Sequence, residues 1–124
     1  VAKMKALCGD KIDIYSGNDD QIVPILSLGG SGVISVLANV LPKETHDIVE
    51  KYLTGDVVES RKLQLGVNEL VSSLFIEVNP IPVKAAMNLM GMEAGELRLP
   101  LTNISEQNLE ILRNNMIKYG IKVD

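Results

Sequence analysis

The stretch IDIYSGNDDQIVPILSLGGSGVISVLANV, residues 12–40, decides the fold. Ile12-Asp13-Ile14-Tyr15 alternates apolar and polar positions and runs into Ser16-Gly17-Asn18-Asp19, the pattern of a strand ending in a loop. Asp20 reads as the cap of a helix through Leu28. Pro24 falls in its first turn, where a missing N–H is tolerated. Gly29 and Gly30 stop that helix. Gly32-Val33-Ile34-Ser35-Val36-Leu37 then forms a nearly continuous apolar run, as expected of a parallel strand covered on both faces. Strand, helix, strand in about 25 residues is a βαβ unit, whose crossover is right-handed.

Helices are expected on either side of this unit. Val1 to Leu7 reads as a helix end stopped at Gly9. It starts at its first residue without a cap, which leads us to expect a chain cut within an element. Downstream, Pro42 suits a first helical position, and Ile48, Val49, Tyr52 and Leu53 make one apolar stripe ending at Gly55. Asp56 and Glu59 have nearly the spacing of a capping box, ahead of Leu63, Val67, Leu70, Val71 and Leu74 at helical period. Asn79-Pro80-Ile81-Pro82 is irregular, because each proline disfavours a helical residue before it. Pro82 opens a short helix stopped at Gly91; Ser105 caps a last one with Leu109, Leu112 and Met116 inward and Gly120 as its stop. The expected class is α/β, with a barrel portion over residues 1–55 and a helical region over 56–124. Two parallel strands cannot stand alone, so further strands are expected from outside this chain.

Composition removes several function classes. The 124 residues are 46% apolar, enough for one modest core but fewer than the roughly 250 of a whole (β/α)8 barrel. The formal charge of −4 is spread without blocks, so there is no basic stripe for nucleic acid. No apolar run approaches the roughly 20 residues of a membrane span. Cys8 is the single cysteine, which forbids an internal disulfide and fits a cytoplasmic setting. His46 is the single histidine, so a metal site has almost no ligands to draw on and none is expected.

In barrels and open α/β sheets, ligands bind beyond the carboxyl ends of the strands. That rule selects the loops at 16–20 and 38–40. Gly17 there either lets a substrate approach the backbone or supplies positive φ to a turn. An ordinary turn with Asp20 as helix cap is the competing reading, and the residues alone leave both open. Asp19 and Asp20, adjacent before a helix, point apart and make a poor carboxylate pair. Gly29-Gly30-Ser31-Gly32 precedes a strand, whereas phosphate-binding glycine loops follow one and open a helix, so it reads as a tight turn. Lys84 follows a rigid double-proline turn, yet a Schiff-base lysine needs burial or a neighbouring cation, and a structural or solvated role is expected. Cys8 reads as a small core residue and the methionines as packing. No nucleophile emerges from this reading.

Residues 14–19 and 28–40 resemble the seventh and eighth barrel strands of the dihydrodipicolinate synthase family. Glu77 to Lys84 and Leu97-Arg98-Leu99-Pro100-Leu101-Thr102 resemble that family's C-terminal helical region. The resemblance covers essentially the whole chain in order and spacing. The sister aldolases, among them N-acetylneuraminate lyase, fit less well. It implies the C-terminal part of a TIM (β/α)8 barrel, namely its last two strands and helices plus a C-terminal helical region. It implies a class I aldolase condensing pyruvate with aspartate-semialdehyde on the lysine (diaminopimelate) route, without a cofactor, through a Schiff-base lysine that would lie just before Val1. The relay tyrosine and the arginine for the semialdehyde carboxylate would also lie outside the chain, and none of Tyr15, Tyr52 and Tyr119 fits the relay motif. The resemblance therefore gives no catalytic residue here. It gives Gly17 and Ile34 as substrate-binding positions and, as partners, the N-terminal part of the same protein and further copies in a dimer of dimers. The helix at Val1 to Leu7 would lie near a subunit contact, and Asn79 to Lys84 near the mouth of the active site. As an isolated chain, the alternative is a non-enzymatic helical interaction module.

Overall fold

A computed structural model describes every residue from Val1 to Asp124. The chain forms two compact units, Val1–Gly66 and Val67–Asp124.

The first unit is built on the βαβ motif expected from residues 12–40. Strand β1, Tyr15–Ser16, pairs in parallel with β2, Gly32–Val33, in the register Tyr15 to Gly32 and Ser16 to Val33. Flanking amides extend the pairing, with Ser31 N donating to Ile14 O and Ile34 N to Ser16 O, both at 2.8 Å. The strands are shorter than the sequence implied. Beyond Val33 the chain leaves the ladder and enters a 3-10 turn at Leu37–Asn39, so Gly32 to Leu37 is not one strand. Nor is Leu37 a residue in need of cover from outside this unit, since it is fully buried within it.

A helix α1, Ala2–Cys8, precedes β1; it buries no residue, and Cys8 is half-buried rather than a core residue. Between the strands lies a 3-10 turn, Asp19–Gln21, followed by α2, Ile22–Ser27. Asp20 does not cap this helix: it sits inside the 3-10 turn, and the residue at the helix start is Gln21, which makes no side-chain cap. The Gly29–Gly30 turn is tight for a visible reason. Gly29 has φ 84°, and a Cβ on Gly30 would come within 2.6 Å of the Ile25 side chain. Helices α3, Pro42–Leu53, and α4, Val57–Gly66, pack against each other and against α2. Ile22, Leu37 and Ile48 are fully buried at their centre. Each such side chain contributes about 1.5–3 kcal/mol over an exposed one. Ser60 Oγ donates to Ile48 O at 2.6 Å, which a larger residue would prevent from approaching so closely. Only half of the expected capping box forms: Asp56 accepts from the Glu59 amide at 3.3 Å.

The second unit is helical. The long helix expected through Leu63 and Leu74 is interrupted at Val67, and α5 runs over Asn68–Leu74. Leu70 and Leu74 of α5, Ala86 of α6 (Ile81–Leu89), and Leu112 and Met116 of α7 (Glu106–Tyr119) form its core. Ser105 caps α7 by accepting the Asn108 amide, and Gly120 closes it in the left-handed conformation at φ 100°. Of the residues expected inward, Leu109 is only half-buried.

Candidate functional site

Because β1 and β2 are parallel, their carboxyl ends lie at the same edge of the sheet. Gly17 follows β1 by one residue and Ile34 follows β2 by one residue, so the chain brings its two expected substrate-binding positions to one end. Both are exposed within the unit, Ile34 at 72%. Gly17 does not adopt positive φ, which removes the turn explanation for glycine there. A Cβ at Gly17 would meet nothing within 4 Å, so packing does not demand glycine either. Ser16, fully buried beside it, turns the loop: its hydroxyl donates to Asn18 O at 2.7 Å and accepts from the Asn18 amide at 3.2 Å.

The residue that sequence reasoning passed over is Asp19. Its side chain is buried, at 1% exposure, and has no cationic partner. Three donors satisfy it instead. Ser35 Oγ donates to Oδ1 at 2.5 Å, and the amides of Val36 and Leu37 both donate to Oδ2 at 3.0 Å. Ser35 Oγ also accepts the Ala38 amide at 2.9 Å. The end of β2 fits these bonds, since the Val36 amide, next after Ile34 on the side facing β1, turns to the carboxylate instead of continuing the ladder. On the other side, Gln64 of α4 donates to Asp19 O at 2.9 Å and accepts the Val23 amide at 3.2 Å. The one available signal was a polar Ser35 inside an otherwise apolar run.

Two cavities lie in the molecule's two units, one in each. In the first unit, a cleft of about 380 Å³ is bordered by Tyr15, Val33, Ser35, Thr45, His46 and Glu50. In the second, a cavity of about 440 Å³ lies among Ile81, Lys84, Asn88, Leu97 and Leu109. Lys84, in the first turn of α6, donates to Glu96 O at 2.5 Å, the structural role expected of it. No three His, Cys, Asp or Glu side chains are arranged to hold a metal ion, and no helix is long and apolar enough to cross a membrane.

Comparison with known proteins places this arrangement. The chain is 65% identical over 121 residues to the 4-hydroxy-tetrahydrodipicolinate synthase of Clostridium perfringens, covering 98% of this chain and 42% of that protein. It is 62% identical over 123 residues to the synthase of Caldicellulosiruptor bescii, covering 99% of this chain and 41% of that protein. Among solved structures, dihydrodipicolinate synthase from Aquifex aeolicus superposes with a TM-score of 0.93 at 37% identity, covering 99% of this chain and 42% of that one. The Thermotoga maritima enzyme gives 0.89 at 42% identity, covering 96% and 40%. The chain thus spans about two-fifths of the length of these relatives, and its fold is α/β, the C-terminal part of a (β/α)8 barrel with its helical region. With residues 1–118 matching the Dihydrodipicolinate synthetase family, the chain belongs to that family.

Proposed function

We propose that these residues are part of a class I aldolase that condenses pyruvate with aspartate-semialdehyde in lysine biosynthesis. Residues 1–55 supply a barrel portion with Gly17 and Ile34 at the pyruvate pocket, and residues 56–124 the helical region. The observation that carries this reading is Gly17 itself. Neither its φ nor its packing calls for glycine, and it stands at the carboxyl end of a parallel strand, where barrel enzymes bind substrate. A role that fits glycine there is to leave room for a ligand against the backbone. Family membership supports this reading of the reaction, and the relatives at 62–65% identity, which carry the synthase name, support the synthase rather than a sister aldolase such as N-acetylneuraminate lyase. The covalent step needs a lysine activated by burial or a neighbouring cation. Lys84 is bonded to a backbone carbonyl within its own unit, and this reading assigns the Schiff-base lysine to residues outside these 124. Assembly into a homo-oligomer and a cytoplasmic location belong to the same proposal.

Borohydride reduction of the full-length protein in the presence of pyruvate tests it. A single pyruvyl adduct on a lysine outside these residues is expected. An adduct on Lys84, or on any other lysine of this chain, would overturn the assignment.

A further inference from the structure

We propose that Asp19 is a positioning residue: its buried carboxylate locks the loop after β1 to the turn after β2 and thereby holds Gly17 and Ile34 in register across the ligand-binding edge. The inference rests on the pyruvate-pocket reading of those two positions. Its structural basis is the three-donor arrangement, which joins segments 16 to 18 residues apart in the sequence. Asp19 is two residues from Gly17, and its three donors come from the three residues that directly follow Ile34. The strands cannot do this work alone, because their ladder is two residues long and stops where the loops begin. No other hydrogen bond joins these two loops beyond the last ladder bond, Ile34 N to Ser16 O.

The chemistry also explains why a carboxylate is used. Two backbone amides and a hydroxyl all offer hydrogens, and an ionised carboxylate is an acceptor on both oxygens. Bonds to a charged acceptor are shorter and stronger than neutral ones, which suits a joint that must hold its geometry. An asparagine could keep its oxygen on the two amides but would turn its NH2 toward Ser35, whose hydroxyl can accept. It would preserve the shape with a weaker joint. An alanine would leave all three donors without their acceptor. The anchoring of Asp19 O by Gln64 fixes the loop from behind, so the carboxylate acts from a set base.

Steady-state kinetics of the full-length protein with Asp19→Asn, Asp19→Ala and Ser35→Ala test the lock, with pyruvate varied at saturating semialdehyde. A displacement of about 1 Å in a positioned group can lower turnover about 100-fold. Asp19→Ala is therefore expected to lower kcat/KM for pyruvate by about that factor per folded molecule, with folded fraction taken from circular dichroism. Asp19→Asn should recover most of the loss, and Ser35→Ala, which removes one donor, should fall between. If Asp19→Ala does not fold, the order of the other two variants against wild type decides. Kinetic constants per folded molecule indistinguishable from wild type in Ser35→Ala and Asp19→Asn, with stability alone reduced, would overturn the proposal. Hydrogen exchange at the Val36 and Leu37 amides provides the arm that does not depend on the reaction. Protection that is lost in Asp19→Ala, or reduced in Ser35→Ala, supports the lock, and protection unchanged in both variants overturns it. Wild-type protein that consumes no pyruvate while showing this pattern would refute the assigned reaction and leave the lock standing.

Discussion

Asp19 in the first unit and Glu77 in the second are each a carboxylate serving three donors, yet they stand in opposite surroundings. Asp19 is buried and binds the Ser35 hydroxyl and the Val36 and Leu37 amides, drawing two loops together. Glu77 lies near the surface and gathers the Ser105 amide at 3.0 Å, the Ser105 hydroxyl at 2.8 Å and Asn108 Nδ2 at 2.7 Å at the start of α7. The same device therefore does two jobs. At the buried Asp19 side chain the Leu37 amide has no water to turn to, so the carboxylate is indispensable to the local geometry. At the surface water takes over, and the carboxylate adds to a helix cap that Ser105 already provides.

The sharpest way to break this contrast is to remove each acceptor in turn. Asp19→Ala strands three donors around a buried site and is expected to cost about 3 kcal/mol of unfolding free energy in urea titrations. Glu77→Ala should cost clearly less, because two of its three bonds are exposed to solvent. Equal losses would show that burial is not what separates the two. Next in size is Ser105→Ala. It deletes the cap and one of the bonds to Glu77, with an expected loss of about 1 kcal/mol by the same titration. A loss near zero would mean that Glu77 alone caps α7.

The smallest effect is a pH dependence confined to the second unit. The Asn108 side chain, followed by the Ser105 amide and hydroxyl, holds the Glu77 carboxyl below the ordinary glutamate value of 4.5. A group depressed in the folded state stabilises fully above its unfolded pKa and loses that contribution as pH falls through its lower folded value. Amide exchange in the first turn of α7 should accordingly be flat, after correction for intrinsic rates, from neutrality down to the unfolded value of 4.5, and increase only below it. The rise should vanish in Glu77→Gln. A rise that persists in that variant would assign the pH dependence to another group.

Residues 12–40 by themselves determined that a parallel strand–helix–strand unit forms, because local periodicity and the glycine stops are properties of neighbours along the chain. The same holds for Pro42 opening α3, Ser105 capping α7 and Gly120 closing it. Family membership was legible too, in Gly32 to Val36 and Asn79 to Lys84, and the family match over residues 1–118 bears it out. Other features rest on partners distant in sequence. Gly32 to Leu37 reads as strand throughout, yet β2 ends at Val33 and the Val36 amide goes to Asp19 rather than to β1. Asp20 looks like the cap and Asp19 like a bystander, since nothing local says which of two adjacent acids turns inward. Tertiary structure decided that, because only the fold brings Ser35, Val36 and Leu37 around a carboxylate sixteen to eighteen residues earlier, where the buried acid and the buried Leu37 amide need partners.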